Sequence, residues 1–350
     1  MASELRIGII GCGEIAMETC QGIAAAPNAS VAMLMDPRPE LLADLSEMFS
    51  APATTNVDDV LANPDVDAVY IATPHNRHAP IGIRAAAAGK HILVEKPIAT
   101  TLADADALIA ACEEHGVTLG VAYLAPVDGG MAAARDLVRG GALGEVIAVR
   151  ITVHADKPDS YWTGGYTRRV RTTWRPSKEE AGGGVLIMNA IHDLNTVRWV
   201  TGLEVTRVYA EYGTLATQVE VEDTAGVVLR YANGAIGAIH AGSAMRGGAH
   251  EDRRGPRVYG TKGQLILTDN EPLVWLDEPL EGGKRGAWQP VRHAGARGDR
   301  TELVRRFAAA ALTGEEPSST GLDGRRTLEI VLAAYRSGER HEPVSLPLDG

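Results

Sequence analysis

Cysteine is scarce in this sequence, and long apolar runs are absent. The 350-residue chain contains three cysteines, Cys12, Cys20 and Cys112, and no two of them form a Cys-x-x-Cys pair. Neither a disulfide framework nor a structural zinc site is therefore indicated. No apolar run reaches the roughly 18 residues of a membrane span, and no basic region typical of a signal peptide follows Met1. These absences predict a cytoplasmic protein that does not bind membranes.

Basic side chains are outnumbered by acidic ones. The chain has 34 lysines and arginines against 45 aspartates and glutamates, which gives a formal net charge of −11. A protein that binds the nucleic-acid backbone needs a clustered basic surface, so this balance argues against that class. It also argues against attachment to anionic lipid. We expect small molecules and further copies of the chain as partners.

The first 120 residues alternate between short apolar runs and longer segments of helical spacing. The length of the chain favours two domains, and runs that are apolar on both faces suit parallel strands covered by helices. The alternation predicts a doubly wound α/β domain, a Rossmann fold, over residues 1–123. The predicted strands are Leu5–Ile10, Val31–Met35, Ala68–Ala72, His91–Val94 and Thr118–Val121, and the predicted helices are Glu14–Ala25, Pro39–Phe49, His78–Ala88 and Leu102–His115.

After residue 123 several β-branched or alternating segments follow one another, separated by turn signals such as Asn233-Gly234. Strands in series with flanking helices predict an α+β domain over residues 124–350, built on a largely antiparallel open sheet. We expect this domain to bind the substrate and to form a homodimer or homotetramer through its sheet, and the C-terminal helix to pack back on the first domain. The predicted helices are Gly130–Arg139, Gly184–Val200, Thr301–Leu312 and Arg325–Arg336, and the predicted strands are Val146–Val153, Val205–Tyr212, Thr224–Tyr231, Ala235–Ala241, Arg257–Tyr259 and Gln264–Thr268.

A glycine fingerprint follows the first predicted strand. Gly11-x-Gly13-x-x-Ala16 has the G-x-G-x-x-A form, in which the first glycine permits a tight turn and the second lets the backbone approach a pyrophosphate. The small Ala16 allows close packing of helix on strand, and the helix N-terminus faces the phosphates. The pattern therefore predicts a dinucleotide site, whose first candidates are Gly11, Cys12, Gly13, Glu14 and Ile15.

The second predicted strand ends at an acidic residue, Asp36, 20 residues beyond Ala16. A carboxylate at that place accepts hydrogen bonds from the adenosine ribose hydroxyls and repels a 2′-phosphate. We therefore predict NAD as the cofactor and regard NADP as the weaker choice, with Arg38 as a neighbouring residue that softens the discrimination.

Two further motifs lie at the carboxyl ends of predicted parallel strands, where open α/β sheets place their ligands. The first, Thr73-Pro74-x-x-x-His78, follows the predicted strand that ends at Ala72, and the second follows the strand that ends at Val94. Glu95-Lys96-Pro97 puts a lysine between a carboxylate and a proline, and a partly desolvated lysine can take up or release a proton. Only six of the basic residues are lysines, which singles out Lys96 further. The cofactor-side candidates of these motifs are Thr73, Pro74, His75, His78, Glu95 and Lys96.

The fingerprint, Thr73-Pro74-x-x-x-His78 and Glu95-Lys96-Pro97, in this order and spacing, resemble the Gfo/Idh/MocA family of glucose–fructose oxidoreductase and inositol dehydrogenase relatives. Gly182-Gly183-Gly184 followed by His192 resembles the family's substrate-domain helix, and the segment Leu328–Tyr335 also looks familial. The resemblance covers essentially the whole chain. It implies an NAD-dependent oxidoreductase that forms homo-oligomers, but it does not identify the substrate.

The predicted helix Val185–Val200 carries Asn189 and His192, three residues apart on one face. A lone histidine on an apolar face is more often a core residue, but Asn189 and the family resemblance favour a functional one. Relatives resembling inositol dehydrogenase carry aspartates at positions occupied here by Met188 and Asn195. The resemblance therefore implies Lys96 and His192 as catalytic residues without these carboxylates, with Asn189 as a hydrogen-bonding partner of the substrate.

Aromatic and basic side chains are concentrated between residues 159 and 175. Aromatic faces stack on sugar rings and arginine donates to oxygen atoms, so this stretch predicts either substrate contacts or a subunit contact. His75 and His78 have metal-like spacing, but a third ligand is not evident, so no metal is expected. The substrate-binding candidates are Lys96, Tyr123, Tyr161, Trp162, Arg168, Asn189 and His192.

Three functional hypotheses follow. The first is an NAD-dependent dehydrogenase that oxidises a secondary alcohol of a sugar, sugar derivative or cyclitol, or reduces the keto form, with Lys96 as acid/base. The second is an enzyme that keeps NAD bound and cycles it during elimination, epimerisation or hydride exchange between sugars. The third is a sensor of NAD or of a metabolite, without turnover.

Overall fold

The computed structural model describes residues 4–247, 255–268, 271–279 and 282–348. The strands in chain order are β1 (Leu5–Ile10), β2 (Ala29–Met35), β3 (Ala53–Thr54), β4 (Ala68–Ile71), β5 (His91–Val94), β6 (Leu119–Val121), β7 (Val146–His154), β8 (Val205–Gly213), β9 (Thr224–Tyr231), β10 (Ile236–Gly242), β11 (Arg257–Gly260), β12 (Gly263–Ile266), β13 (Leu273–Leu276), β14 (Gln289–Pro290) and β15 (Val344–Ser345).

Helices alternate with the strands of the N-terminal part and flank those of the later part. They are α1 (Glu14–Ala25), α2 (Ala43–Phe49), α3 (Val57–Ala62), α4 (His78–Ala87), α5 (Leu102–Glu114), α6 (Gly129–Arg139), α7 (Ser160–Gly164), α8 (Lys178–Ala181), α9 (Ile191–Thr201), α10 (Arg300–Thr313) and α11 (Gly321–Arg340). Short 3-10 turns span Pro39–Leu41, His75–Arg77 and Ala125–Val127, and a π turn, Leu186–Ala190, precedes α9.

The first sheet has the strand order β3-β2-β1-β4-β5-β6, and all its strand pairs are parallel. The predicted doubly wound fold is therefore confirmed. The order reverses between β1 and β4, and open α/β sheets bind their ligands outside the carboxyl ends of strands at such a reversal. The fingerprint follows β1 and the motif that begins at Thr73 follows β4, so both lie at this edge.

The second sheet has the order β14-β13-β12-β11-β7-β10-β9-β8-β15. Its pairs are antiparallel except for β7 with β10, which run parallel. Val149, Ile151 and Ile239 are buried on the inner face, while alternate residues such as Val228 and Ile236 are exposed. The predicted mostly antiparallel sheet is confirmed.

The described residues cluster into two compact units that are discontinuous in the chain. The first unit comprises residues 4–127, 160–182 and 298–328, and the second comprises 128–159, 183–297 and 329–348. Within the first unit α10 packs against α1, and Phe307 of α10 belongs to the same apolar core as Ile7 and Ile9. The contiguous division at residue 123 stays a prediction of domain boundaries, and the segment 160–182 lies in the first unit although it follows that point.

Candidate active site

The glycine loop of the first unit is shaped for a bound dinucleotide. Gly11 has a φ of 95°, and a Cβ there would lie 2.6 Å from the Ala72 carbonyl oxygen, so only glycine fits. A Cβ on Gly13 would meet nothing within 4 Å. Helix α1 begins at Glu14 with no side-chain cap at Gly13, which leaves the amides of its first turn for an anion. These residues fit the pyrophosphate of NAD.

Asp36, directly after β2, is 2% exposed and accepts hydrogen bonds from two main-chain amides and one arginine side chain. Its Oδ2 accepts a hydrogen bond from Cys12 N at 3.0 Å, and its Oδ1 accepts from Arg38 N at 3.0 Å and Arg38 Nε at 3.1 Å. A carboxylate offers about four lone-pair positions, so one remains for a ribose hydroxyl. Cys12 is fully buried, and burial raises the pKa of its thiol to about 12, so the thiol stays protonated near neutral pH.

Residues 160–175, here called the cover segment, contact the glycine loop within the first unit. Arg169 pairs with both carboxylate oxygens of Asp44 and donates to the Leu41 carbonyl oxygen at 3.0 Å. It also reaches the Cys12 carbonyl oxygen at 3.5 Å. Arg175 Nη2 donates to Glu14 Oε2 at 3.2 Å. The cover segment is thus tied to the helix that would face the phosphates.

Aromatic rings fill the cover segment. The ring of Tyr161 lies 5.4 Å from that of Trp162 and 4.8 Å from that of Tyr166, between centroids. The guanidinium of Arg175 lies 5.1 Å from the Tyr161 ring centroid. Tyr161 and Trp162 are buried, whereas Arg168 is exposed and has a φ of 57°. Tyr161 thus packs against Arg175, which contacts Glu14 of α1, and the substrate roles of all three residues stay predictions.

Lys96 follows β5 beside a buried acidic residue. Glu95 is 6% exposed, and its Oε1 accepts hydrogen bonds from Tyr70 OH at 2.7 Å and from Arg300 Nη1 at 2.5 Å. Thr19 Oγ1 donates in turn to Tyr70 OH at 3.0 Å. Lys96 N lies 3.2 Å from Glu95 Oε2. The Glu95 carboxylate is therefore held by Tyr70 of β4 and Arg300 of α10, and Thr19 of α1 donates a hydrogen bond to Tyr70.

The surroundings of Lys96 shift its pKa into the neutral range. Burial lowers the pKa of the ammonium to about 8, and the positive charges of Arg300 and Arg175 act in the same direction against the opposing charge of Glu95. Burial alone would raise the pKa of Glu95, but Arg300 and Lys96 outweigh it and hold that pKa below its usual value. Lys96 can therefore exchange a proton while Glu95 remains ionised.

Two histidines flank this lysine in the first unit. His75 Nδ1 lies 2.7 Å from the Ala181 carbonyl oxygen, and its ring packs 4.7 Å from the Trp174 ring. The two ring nitrogens of His78 lie 2.7 Å from the Pro97 carbonyl oxygen and 3.0 Å from the Thr73 carbonyl oxygen. Burial lowers the pKa of both imidazoles. His78 thus connects the two motifs. Tyr123, the remaining candidate of this unit, is buried.

The candidates of the second unit lie on and before α9. Asn189 sits in the π turn Leu186–Ala190 and is partly exposed, His192 is exposed, and Met188 and Asn195 are buried. Buried Glu222 holds the start of this turn, because its carboxylate accepts from Gly184 N at 2.6 Å and from Leu186 N at 2.9 Å. π turns inside helices are frequent at functional sites.

Four residues that contact candidate site residues, or the turn that carries Asn189, were not among the residues predicted from the sequence: Arg300, Arg175, Glu222 and Lys157. Lys157 Nζ donates to Asn189 Oδ1 at 2.6 Å although the residue is only 3% exposed. The scarcity of lysine was a usable signal for Lys157, but no motif surrounds it. The other three act through partners distant in the chain, which a local pattern does not reveal. Among the described residues there is no group of three or more His, Cys, Asp or Glu side chains that could hold a metal.

Comparison with known proteins identifies the family. Residues 5–123 match the family described as "Oxidoreductase family, NAD-binding Rossmann fold", and residues 131–266 match the GFO/IDH/MocA C-terminal domain. The chain belongs to this family. The resemblance drawn from the motifs is confirmed, and so is the prediction of an NAD-dependent oxidoreductase. No helix among the described residues combines the length and apolar character needed to span a bilayer.

Similar members of the GFO/IDH/MocA family carry different names. The 1,5-anhydro-D-fructose reductase of Ensifer adhaerens is 32% identical over 341 residues, 95% of this chain and 96% of that protein. The myo-inositol 2-dehydrogenase of Thermotoga maritima is 28% identical over 351 residues, 98% of each. The solved structure of the WlbA dehydrogenase from Bordetella pertussis, in complex with NADH and UDP-GlcNAcA, is 26% identical with a TM-score of 0.83 and covers 99% of both chains.

Proposed function

We propose that this protein oxidises a secondary alcohol of a sugar, sugar derivative or cyclitol with NAD, or reduces the corresponding ketone, and that Lys96 is its acid/base. The observation that carries the proposal is the position of Lys96 just after β5, next to a buried Glu95 that accepts hydrogen bonds from Tyr70 and Arg300. Burial at this position lowers the pKa of Lys96. The names of the similar proteins, which include a myo-inositol dehydrogenase and an anhydrofructose reductase, support a polyhydroxylated substrate.

Each candidate has a defined task in this proposal. In oxidation neutral Lys96 accepts the hydroxyl proton, and in reduction its ammonium returns a proton to the carbonyl oxygen. His192 orients or shares that proton, and Asn189 positions the substrate by hydrogen bonding. NAD, when bound, supplies the hydride acceptor. Gly11, Gly13 and Asp36 hold the cofactor, and the remaining work of the protein is placement and proton transfer.

The test begins with a screen of sugars, inositols and sugar acids, in which reduced-cofactor absorbance is followed with NAD and with NADP. Lys96→Met is then compared with the wild type on the best substrate, and NADH affinity is measured separately. Because general base catalysis contributes about 10²–10⁴ in rate, we expect turnover to fall by at least about 100-fold with NADH affinity retained. Lys262→Met, which removes an exposed lysine, is the matched control. Turnover of Lys96→Met within about threefold of the wild type would contradict the assignment.

A second candidate function is favoured by the cover segment. Its ties through Arg169 to Asp44 and through Arg175 to Glu14 hold residues 160–175 on the glycine loop, which favours slow release of the cofactor. In that case the enzyme keeps NAD bound and cycles it during elimination, epimerisation or hydride exchange. Purified protein that carries nicotinamide absorbance and converts a sugar without net NADH would support this function. Protein that is free of nucleotide and accumulates NADH would reject it.

A further inference from the structure

Lys157 is a buried lysine that neither the motifs nor the proposed proton transfer uses. It lies just beyond β7, where its main-chain N–H donates to the Ser243 carbonyl oxygen at 2.9 Å. Its side chain is 3% exposed, and its Nζ donates to Asn189 Oδ1 at 2.6 Å. Lysine is among the residues that are least often buried, so a burial this complete implies a defined task for the ammonium.

The hydrogen bond from Lys157 Nζ determines the orientation of the Asn189 side-chain amide. An ammonium group has three donors and no acceptor, so only the carbonyl oxygen of Asn189 can face it. The NH2 group of Asn189 must therefore point to the other side. Within the described residues Asn189 Nδ2 donates to no protein acceptor, and the residue is partly exposed. Asn189 is thus presented as a hydrogen-bond donor.

The charge of Lys157 also strengthens this donor. A hydrogen bond from a charged group is shorter and stronger than one between neutral groups, and groups connected in a chain of hydrogen bonds polarise one another. The neighbours Met188 and Ala190 of Asn189 are buried apolar residues. Asn189 is nevertheless partly exposed, and the exposed His192 follows three positions later.

We propose that Lys157 is a positioning residue that fixes Asn189 as a donor, and that the substrate places an oxygen without a proton, such as a carbonyl, carboxylate or ring oxygen, against Asn189. This inference rests on the proposed function, which assigns Asn189 to the substrate. It narrows the substrate class from any polyhydroxylated ring to one with an acceptor-only oxygen at this position. It also separates Lys157, which acts through Asn189, from Lys96, which exchanges the proton.

The test uses the full-length enzyme, saturating NAD and the best substrate of the screen. We expect Asn189→Ala to lower kcat/KM by about tenfold, the effect of one lost hydrogen bond. Asn189→Asp keeps one oxygen as a partner for Lys157 but replaces the NH2 group that faces the substrate with a second carboxylate oxygen. We expect a larger loss of about 100-fold or more, because an unprotonated oxygen then meets a carboxylate. An Asn189→Asp enzyme as active as Asn189→Ala, or more active, would overturn the proposal.

A double-mutant cycle separates positioning from a merely structural role. Lys157→Met should lower kcat/KM by about tenfold in the wild type and by less than about twofold in the Asn189→Ala background, since the orientation it sets is then already lost. Equal losses in both backgrounds would overturn the proposal. Melting temperature and NADH affinity check the fold of each variant, with Lys262→Met as the control lysine. If Lys157→Met fails to fold, the comparison of the two Asn189 variants, which retain Lys157, still tests the proposal.

The failure of this inference can be distinguished from the failure of the proposed function. A wild-type enzyme that turns over a polyol while the Asn189 variants behave against expectation rejects only the acceptor-oxygen inference. A wild-type enzyme that oxidises and reduces nothing in the screen rejects the proposed function, and the inference that rests on it is rejected at the same time.

Discussion

At the scale of single residues, the properties of Lys96 depend on groups far away in the chain. Glu95 is its neighbour in sequence, but Arg300 comes from α10, and its Nη1 donates to Glu95 Oε1 at 2.5 Å. The Glu95-Lys96-Pro97 motif predicted a lysine suited to proton transfer. It could not predict the buried ion pair behind it, because the pair forms only when α10 packs beside α1. The candidate residues of the glycine fingerprint, Gly11 to Ile15, were easier to predict, since they are consecutive.

Removal of Arg300 tests this arrangement. In Arg300→Met the buried Glu95 loses its ion-pair partner, and Lys96 loses a positive neighbour that lowers its pKa. We expect the pKa seen in the pH profile of kcat/KM to rise above about 8. We also expect about 3–5 kcal/mol of stability to be lost, the usual cost of breaking a buried pair, measured by urea unfolding.

The control for this prediction is Arg325→Met. Arg325 pairs with Asp106 in a more exposed position, where the two side chains are 23% and 51% exposed. Such a pair contributes at most about 1 kcal/mol, so this variant should leave the pH profile unchanged. An Arg300→Met profile that coincides with that of the wild type would show that Arg300 does not tune Lys96.

At the scale of elements, periodicity predicted most of the first sheet and of its helices. It missed β3, β14 and β15, which are two residues long and carry no measurable alternation. It also missed the four-residue β13 and the short helices α3, α7 and α8. It predicted one helix over Gly184–Val200, whereas the structure has a π turn followed by α9. The sequence pattern does not distinguish the π turn from the α-helix that follows it, because apolar residues surround the turn. Its start depends on Glu222, which is distant in the chain.

The cover segment is an element whose role can be measured. Arg169→Met removes its paired contact with Asp44 and its bond to the Leu41 carbonyl oxygen. We expect the segment to loosen and NADH to dissociate faster by about tenfold, which stopped-flow fluorescence would detect. Arg171→Met is the matched control, because Arg171 is exposed and lies in the same segment. Equal dissociation rates for the two variants would show that the segment does not retain the cofactor.

At the scale of the whole molecule, the chain passes between the two units more often than a split at one residue implies. Residues 160–182 and 298–328 belong to the first unit. Residues 128–159 of the second unit precede the first of these segments in the chain, and residues 183–297 of the second unit lie between the two. These crossings were not predicted from the sequence. The two sheets were predictable from their patterns, while the grouping of the segments required tertiary contacts.

The exposed face of the second sheet bears on self-association. Ile147, Tyr209, Val228 and Ile236 are 37% to 53% exposed on neighbouring strands of this sheet, and apolar patches of this kind mark interaction surfaces. We propose that this face forms the homodimer or homotetramer expected from the sequence. In sedimentation velocity Val228→Lys should shift the protein toward monomer, while Leu215→Lys, at an exposed loop leucine, should not. A wild-type monomer would contradict this expectation.

The most direct measurement of the proposed function is the pH dependence of kcat/KM for oxidation, from about pH 6 to about pH 10, in the wild type and in Lys96→Arg. Oxidation needs neutral Lys96, so the wild-type value should fall by about tenfold per pH unit below about pH 8 and level off above it. Arginine cannot release its proton in this range, so Lys96→Arg should lose at least about 100-fold across it. A wild-type profile without this break, together with Lys96→Arg activity within about threefold of the wild type, would contradict Lys96 as the acid/base.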